Sequence, residues 1–153
     1  MRINNMRINK EHDIKWGLKK EQDVLPLLQS KIGDIRKTVD KFDCFDFRSD
    51  EKKIDLELKS RNIFKGQYNT IYFGVNKLIE GRTRRRNGTS LRTIYLFRFK
   101  KRKDPTKHSI YFWEDDGIFG NTTMNGNLQR GEQKKELVDL PCNLLKPLKL
   151  LSV

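Results

Sequence analysis

Cysteine, proline and histidine are scarce in this chain of 153 residues, at two, four and two copies. Cys44 and Cys142 lie far apart in sequence and form neither a disulfide framework nor a metal-ligand spacing, so a reducing compartment is expected. His12 and His108 sit in separate polar segments, which supports neither a histidine metal site nor a Ser/His triad. No glycine-rich phosphate loop of the P-loop or dinucleotide type is present. No stretch approaches the roughly 18 apolar residues of a membrane span, and residues 1–10 lack the apolar core of a signal peptide. The expectation is an intracellular protein, cytoplasmic or nuclear, with no membrane association. Acidic charge is also in deficit: 33 Lys and Arg face 20 Asp and Glu, a net charge of +13. That balance excludes calcium-buffer and acidic adhesion proteins and favours a polyanionic partner.

What is present suffices for one folded domain over residues 1–153. Hydrophobic residues make up 35% of the chain and aromatics 10%, more than a disordered chain carries. Residues 1–10 read MRINN-MRINK and are expected to form a flexible arm or an early edge strand. From about 13 to 31, Ile14, Leu18, Leu25 and Leu28 fall at helical spacing, with Pro26 expected either to kink the run or to begin a new first turn, and Gly33 expected as the stop. Residues 42–48 then alternate with period two, placing Phe42, Cys44, Asp46 and Arg48 on one face and Asp43, Phe45 and Phe47 on the other. After a polar turn at 49–52, Ile54, Leu56 and Leu58 alternate with Asp55, Glu57 and Lys59, and the two runs read as a hairpin.

Residues 70–75 predict a strand, and 76–80 a short crossover helix stopping at Gly81. The arginine-rich tract 82–88 predicts a solvated loop. Two further strands, 93–99 and 109–113, are joined by a basic turn at 100–107, and Glu114-Asp115-Asp116-Gly117 reads as a strand end entering a turn. A Gly/Asn-rich loop follows, and a Leu-rich tail at 137–153, broken by Pro141 and Pro147, is expected to pack back on the core. The order predicts an α/β domain with a mixed central β-sheet flanked by helices.

Three Glu-x-Lys triplets occur: at Glu51, Glu57 and Glu132. The first lies in a turn and the third in a polar stretch. Only Glu57-Leu58-Lys59 sits in a strand whose opposite face is wholly apolar. There, Glu57 and Lys59 share a face, and a hairpin partner can bring Asp46 to the same edge. Two carboxylates, a main-chain carbonyl and waters are what Mg²⁺ accepts, and a lysine beside them can orient the attacking water and steady charge on a phosphate. Asp43 and Asp55 are rival acids a few residues away. The same alternation is also what ordinary cross-strand ion pairs look like.

Asp46 followed by Glu57-Leu58-Lys59, with Glu21 on a preceding helix, resembles the PD-(D/E)XK nuclease superfamily, which includes restriction endonucleases and Holliday-junction resolvases. The stretch from Phe45 through Asn62 is also similar to small viral and phage endonucleases. The acid at position 46 is preceded by Phe rather than Pro. The resemblance implies a restriction-endonuclease-like core and a metal-dependent endodeoxyribonuclease, one selective for branched DNA in the manner of a junction resolvase. It further implies Asp46, Glu57 and the Leu58 carbonyl as Mg²⁺ ligands, with Mn²⁺ able to substitute. Lys59 would be the catalytic lysine and Glu21 an accessory acid. Cutting two strands usually requires two active sites, so a homodimer is expected.

The basic residues fall in two groups. Arg82, Arg84, Arg85, Arg86 and Arg92 precede one strand; Arg98, Lys100, Lys101, Arg102, Lys103 and Lys107 surround the following turn. Together with Arg61, and with Lys77 at the start of the crossover helix, they are candidate contacts to a DNA backbone. The alternative from a different functional class is a non-catalytic DNA- or RNA-binding protein using the same basic face.

Overall fold

A computed structural model describes residues 20–40, 43–125 and 135–153. The N-terminal repeat, Ile14, Leu18, Phe42 and the Glu132 triplet lie outside the described residues. Helix α1 covers residues 20–32. Val24, Leu28 and Ile32, spaced by four, form its buried stripe. Of the two outcomes expected at Pro26, a kink or a new first turn, the second does not occur, since helix lies on both sides of it. Pro26 and Gln22, whose carbonyl loses its usual N–H partner, are both exposed, so the missing bond faces water. Gly33, with φ of 86°, closes the helix by donating its N–H to Gln29 at 2.9 Å.

The strands that follow are β1 (Arg36–Lys37), β2 (Phe47–Ser49), β3 (Ile54–Phe64) and β4 (Thr70–Gly74), then helix α2 (Val75–Arg86). After α2 come β5 (Arg92–Lys100), β6 (His108–Glu114), β7 (Thr122–Asn125), β8 (Lys135–Pro141) and β9 (Lys146–Pro147). They form a six-stranded sheet in the order β1-β2-β3-β5-β6-β9 and a three-stranded sheet in the order β4-β8-β7. The central sheet is mixed, as expected: β3 and β5 run parallel, and their connection passes through β4 and α2.

The expected hairpin is present, with Phe47 opposite Leu56 and Ser49 opposite Ile54. Its first strand is shorter than the alternation predicts. Asp43 Oδ1 accepts from the Phe45 N–H at 3.1 Å, folding residues 43–45 into a turn instead of a strand. Phe45 and Phe47 consequently pack into different cores rather than sharing a face.

One face of the central sheet packs on α1, with Ile54, Leu56, Leu58, Ile94 and Leu96 against Val24, Leu28 and Ile32. The other face carries Tyr95, Phe97 and Trp113, covered by Ile71 and Phe73 of β4, Leu78 of α2, and Val138 and Leu140 of β8. Phe73 stacks on Tyr95 with centroids 4.6 Å apart. β3 is therefore covered on both sides, which buries the acids of its polar face: Asp55 is 0% and Glu57 3% exposed.

α2 also departs from expectation. It runs through Gly81 and takes in the arginine tract, ending at Arg86 rather than before a loop. Arg84, Arg85 and Arg86 occupy the last turn, where positive charge suits the helix dipole. Gly81 permits close packing on β5: a Cβ there would lie 2.9 Å from Thr93 Oγ1 and 3.2 Å from the Tyr95 hydroxyl. β7 rises within the expected Gly/Asn-rich loop because it pairs along the edge of β8, Thr122 opposite Val138. The Leu-rich tail returns to the core as expected, burying Val138, Leu140, Leu145 and Leu151. Among the described residues no helix is long and apolar enough to cross a membrane.

Candidate active site

Asp46 lies just before β2 and is held from three directions. Its N–H donates to the Leu56 carbonyl at 3.0 Å, and its own carbonyl accepts the Thr38 N–H at 2.9 Å and the Thr38 hydroxyl at 3.1 Å. Beyond Leu56 no β2 residue pairs with β3, and Asp46 Oδ2 accepts the Leu58 N–H at 2.8 Å in place of a strand partner. A strand residue's C=O leaves on the same edge as its N–H, so the Leu58 carbonyl emerges on the side of Asp46.

Glu57 projects from the polar face of β3, opposite Tyr95 on β5. Its Oε1 lies 3.0 Å from Lys59 Nζ and 3.5 Å from Lys77 Nζ. Its Oε2 is buried and has no hydrogen-bond partner. Burial raises the Glu57 pKa from the ordinary 4.5 to about 7; the lysines oppose this, and the charge of Asp46 adds to it. A buried carboxylate half satisfied by cations and half unpartnered is costly unless another group completes it.

Glu21 reaches the same edge from α1. Burial raises its pKa, and both the charge of Asp46 and a hydrogen bond to it raise it further, while Lys37 opposes them. Lys37 Nζ is 3.0 Å from Glu21 Oε2. Lys77 enters from the first turn of α2, donating also to the Cys44 carbonyl, and the Tyr95 hydroxyl donates to the Lys77 carbonyl at 2.9 Å. Glu21, Asp46, Glu57, Lys59 and Lys77 are thus linked, although they come from four separate parts of the chain.

Sequence reasoning missed Lys37 and Thr38, which no motif marks. It placed Lys77 only against a phosphate, without its approach to Glu57. The position of Lys77 one turn after a strand, in a connection between parallel strands, was the available signal.

The rival acids are engaged elsewhere. Asp55 accepts from Arg48 at 2.9 Å, from Arg84 at 3.2 Å and from the Ser90 hydroxyl. Asp43 takes the Phe45 N–H and stands 3.4 Å from Arg84. The arginine tract is committed to internal carboxylates as well. Arg82 binds Asp115 through two bonds of 2.9 Å, Arg85 binds the same acid, Arg84 reaches Glu80 at 3.1 Å, and Arg92 binds Glu114. Arg86 is exposed, 3.4 Å from the Thr83 hydroxyl. Arg61 donates to the Tyr72 carbonyl at 2.8 Å, and burial lowers its pKa. Lys101, Arg102 and Lys103 are exposed in the β5–β6 turn, and Lys100 is half-buried at its start.

Among the described residues no three His, Cys, Asp or Glu side chains already form a cation cage. Comparison with known protein families, curated proteins and solved structures found no match for this chain.

Proposed function

We propose that this protein is a metal-dependent endodeoxyribonuclease with a restriction-endonuclease-like core, hydrolysing DNA phosphodiester bonds at the Asp46–Glu57–Lys59 edge of β3. The observation that carries the proposal is the unpartnered, buried Glu57 Oε2 on the same edge as a second carboxylate and two lysines. The buried acids Asp55 and Asp115, by contrast, have both oxygens satisfied, and Asp139 Oδ1, which also lacks a partner, has no such neighbours among the described ion pairs.

The residues fit Mg²⁺ or Mn²⁺. Mg²⁺ keeps several waters and needs only one or two carboxylates, so Asp46, Glu57 and the Leu58 carbonyl suffice without a three-acid cage. Glu21 stands behind Asp46 as an accessory acid. When bound, such a cation activates water and neutralises charge on a phosphate. The chain contributes the rest. Lys59, 24% exposed at the side chain, presents an ammonium beside Glu57 that can hold the attacking water and stabilise the developing oxyanion. Lys77 balances the second negative charge from the helix side. The rigid backbone anchors of Asp46 fix its carboxylate before substrate arrives.

A non-catalytic nucleic-acid-binding protein is the second reading. It is favoured by the ion pairs that already occupy Glu57 Oε1 and Glu21 Oε2. Incubating plasmid, linear, single-stranded and four-way-junction DNA with Mg²⁺ or Mn²⁺ separates the two. We expect cleavage by the wild type, greatest on branched DNA, with a dimer as the cutting species. Glu57→Gln and Lys59→Ala should abolish cutting while binding stays near the wild-type level. No cutting by the wild type, or equal cutting by the variants, would overturn the nuclease reading.

A further inference from the structure

The end of β3 carries a second feature, separate from the acid cluster. Phe64 stands opposite Lys100 on β5, with Lys100 Nζ 6.0 Å and the Arg102 guanidinium 5.4 Å from its ring centroid. Lys65 Nζ lies 4.8 Å above the Tyr111 ring. Together with Lys101 and Lys103 these cations line an open groove of about 530 Å³. Among the described residues, no carboxylate lies within ion-pair distance of these five cations. The one acid of the turn, Asp104, accepts from the Thr106 N–H at 3.1 Å and from its hydroxyl, which fixes the loop. The turn is closed further by Lys101 N–H to the Lys107 carbonyl at 3.0 Å.

Aromatic rings position cations without neutralising them, whereas carboxylates do both. Here the rings hold Lys65, Lys100 and Arg102 in place and leave their full charge available. β3 is irregular between Ser60 and Phe64, and Lys59 and Phe64 stand opposite Phe97 and Lys100, three residues apart on β5, or about 10 Å at roughly 3.3 Å per residue. At about 3.4 Å per base pair that is about three phosphates along one strand.

We infer that the β5–β6 turn and the end of β3 form a phosphate-backbone anchor that grips a DNA strand about three nucleotides from the bond being cut. The inference rests on the nuclease reading for the location of that bond, but not for the anchor itself. The anchor reads charge and spacing rather than bases, so it lends affinity and substrate length dependence without sequence preference.

The test compares Lys101→Gln/Arg102→Gln/Lys103→Gln with a control that removes equal charge elsewhere, Lys53→Gln/Lys135→Gln/Lys149→Gln. All six side chains are exposed. Binding to duplex DNA is measured in Ca²⁺ over a salt series. The turn variant should bind at least tenfold more weakly, with the slope of log affinity against log salt reduced by up to about three. The control should bind like the wild type. In cleavage assays the turn variant should raise KM on long duplexes with kcat unchanged, and should match the wild type on duplexes too short to reach the turn. Equal weakening by both variants, or none by either, overturns the anchor. So does loss of binding to phosphatidylserine vesicles with DNA binding intact. A wild type that binds through this turn but never cuts overturns the nuclease reading and leaves the anchor standing.

Discussion

The arginine stretch of α2 and the basic turn after β5 look alike as sequence and behave oppositely in the fold. Arg82, Arg84 and Arg85 face Asp115, Asp55, Asp43 and Glu80, so their charge is matched inside the protein. Lys100, Lys101, Arg102 and Lys103 face aromatic rings or solvent, so theirs projects outward. Positive charge alone therefore does not mark a nucleic-acid surface. What decides is whether the fold supplies acids opposite it. The net +13 underlies both regions, yet in the first most of the charge is matched by acids of the fold.

The largest effect should come from breaking the matched region. Asp115→Ala leaves Arg82 and Arg85 without their shared, fully buried acid. Removing one partner of such a buried pair costs about 3–5 kcal/mol, to be read from urea denaturation. A loss below about 1 kcal/mol would mean that the two arginines are as free as the lysines of the turn.

Next in size is the contrast between two buried acids. Burial pushes Asp115 up, but the bonds from Arg82, Gly117 N–H and Arg85 hold it below the ordinary 3.8. Its stabilising contribution is thus present above that pH and lost as pH falls through the lowered value. Glu57 has the opposite sign, with a folded-state pKa of about 7 against an ordinary 4.5. Its contribution is full below 4.5 and lost as pH rises to about 7. That separation amounts to about 3 kcal/mol. Glu57→Gln should therefore flatten Tm against pH across this window and gain stability relative to the wild type at pH 8. Mg²⁺ should raise the wild-type Tm at that pH and leave the variant unchanged. A variant whose Tm falls in parallel with the wild type would show that Glu57 titrates as an ordinary exposed acid.

A smaller effect tests how α2 is seated. Gly81→Ala places a methyl against Thr93 and Tyr95, which should cost about 1–3 kcal/mol through overpacking. Because the helix also carries Lys77, the same variant should slow cleavage more than an exposed change such as Arg86→Ala. The smallest effect belongs to the outward region. Neutralising Lys101, Arg102 and Lys103 should shift stability by no more than about 0.5 kcal/mol, measured by the same denaturation, despite removing as many charges as Arg82, Arg84 and Arg85 together carry.

The alternation of Ile54, Leu56 and Leu58 with Asp55, Glu57 and Lys59 made β3 and its two faces legible in advance; β5 and β6 were expected as strands at 93–99 and 109–113, while the helical spacing read for α1 picked out only Leu28 of its buried stripe. The shared side of Glu57 and Lys59 was legible too, since residues two apart on a strand face the same way, whereas Asp46 lies just before β2 and not in the alternating strand expected. The sequence reading failed at contacts made between distant segments. An arginine run reads as solvent-facing until Asp55 and Asp115, buried by other strands, are brought opposite it. Gly81 reads as a helix stop until its closeness to Thr93 is known. Pro26 reads as a break until the exposed side of its turn is known. Lys37 gave no local signal, because its partnership with Glu21 depends on the packing of α1 over β1.

β3 extends to Phe64, while β2 pairs with it only as far as Leu56. Past that point, among the described residues, no strand hydrogen-bonds its outer side, and the sheet has an open margin there. Such margins template pairing between molecules unless charge interrupts them. Asp46 covers the first open N–H, and Lys59 and Arg61 are spaced along the rest. Two of the residues argued to perform the chemistry, Asp46 and Lys59, therefore also sit along this margin. A carboxylate that closes an unpaired N–H at a sheet margin is thereby held in one orientation, which a side chain on an ordinary paired strand would not be.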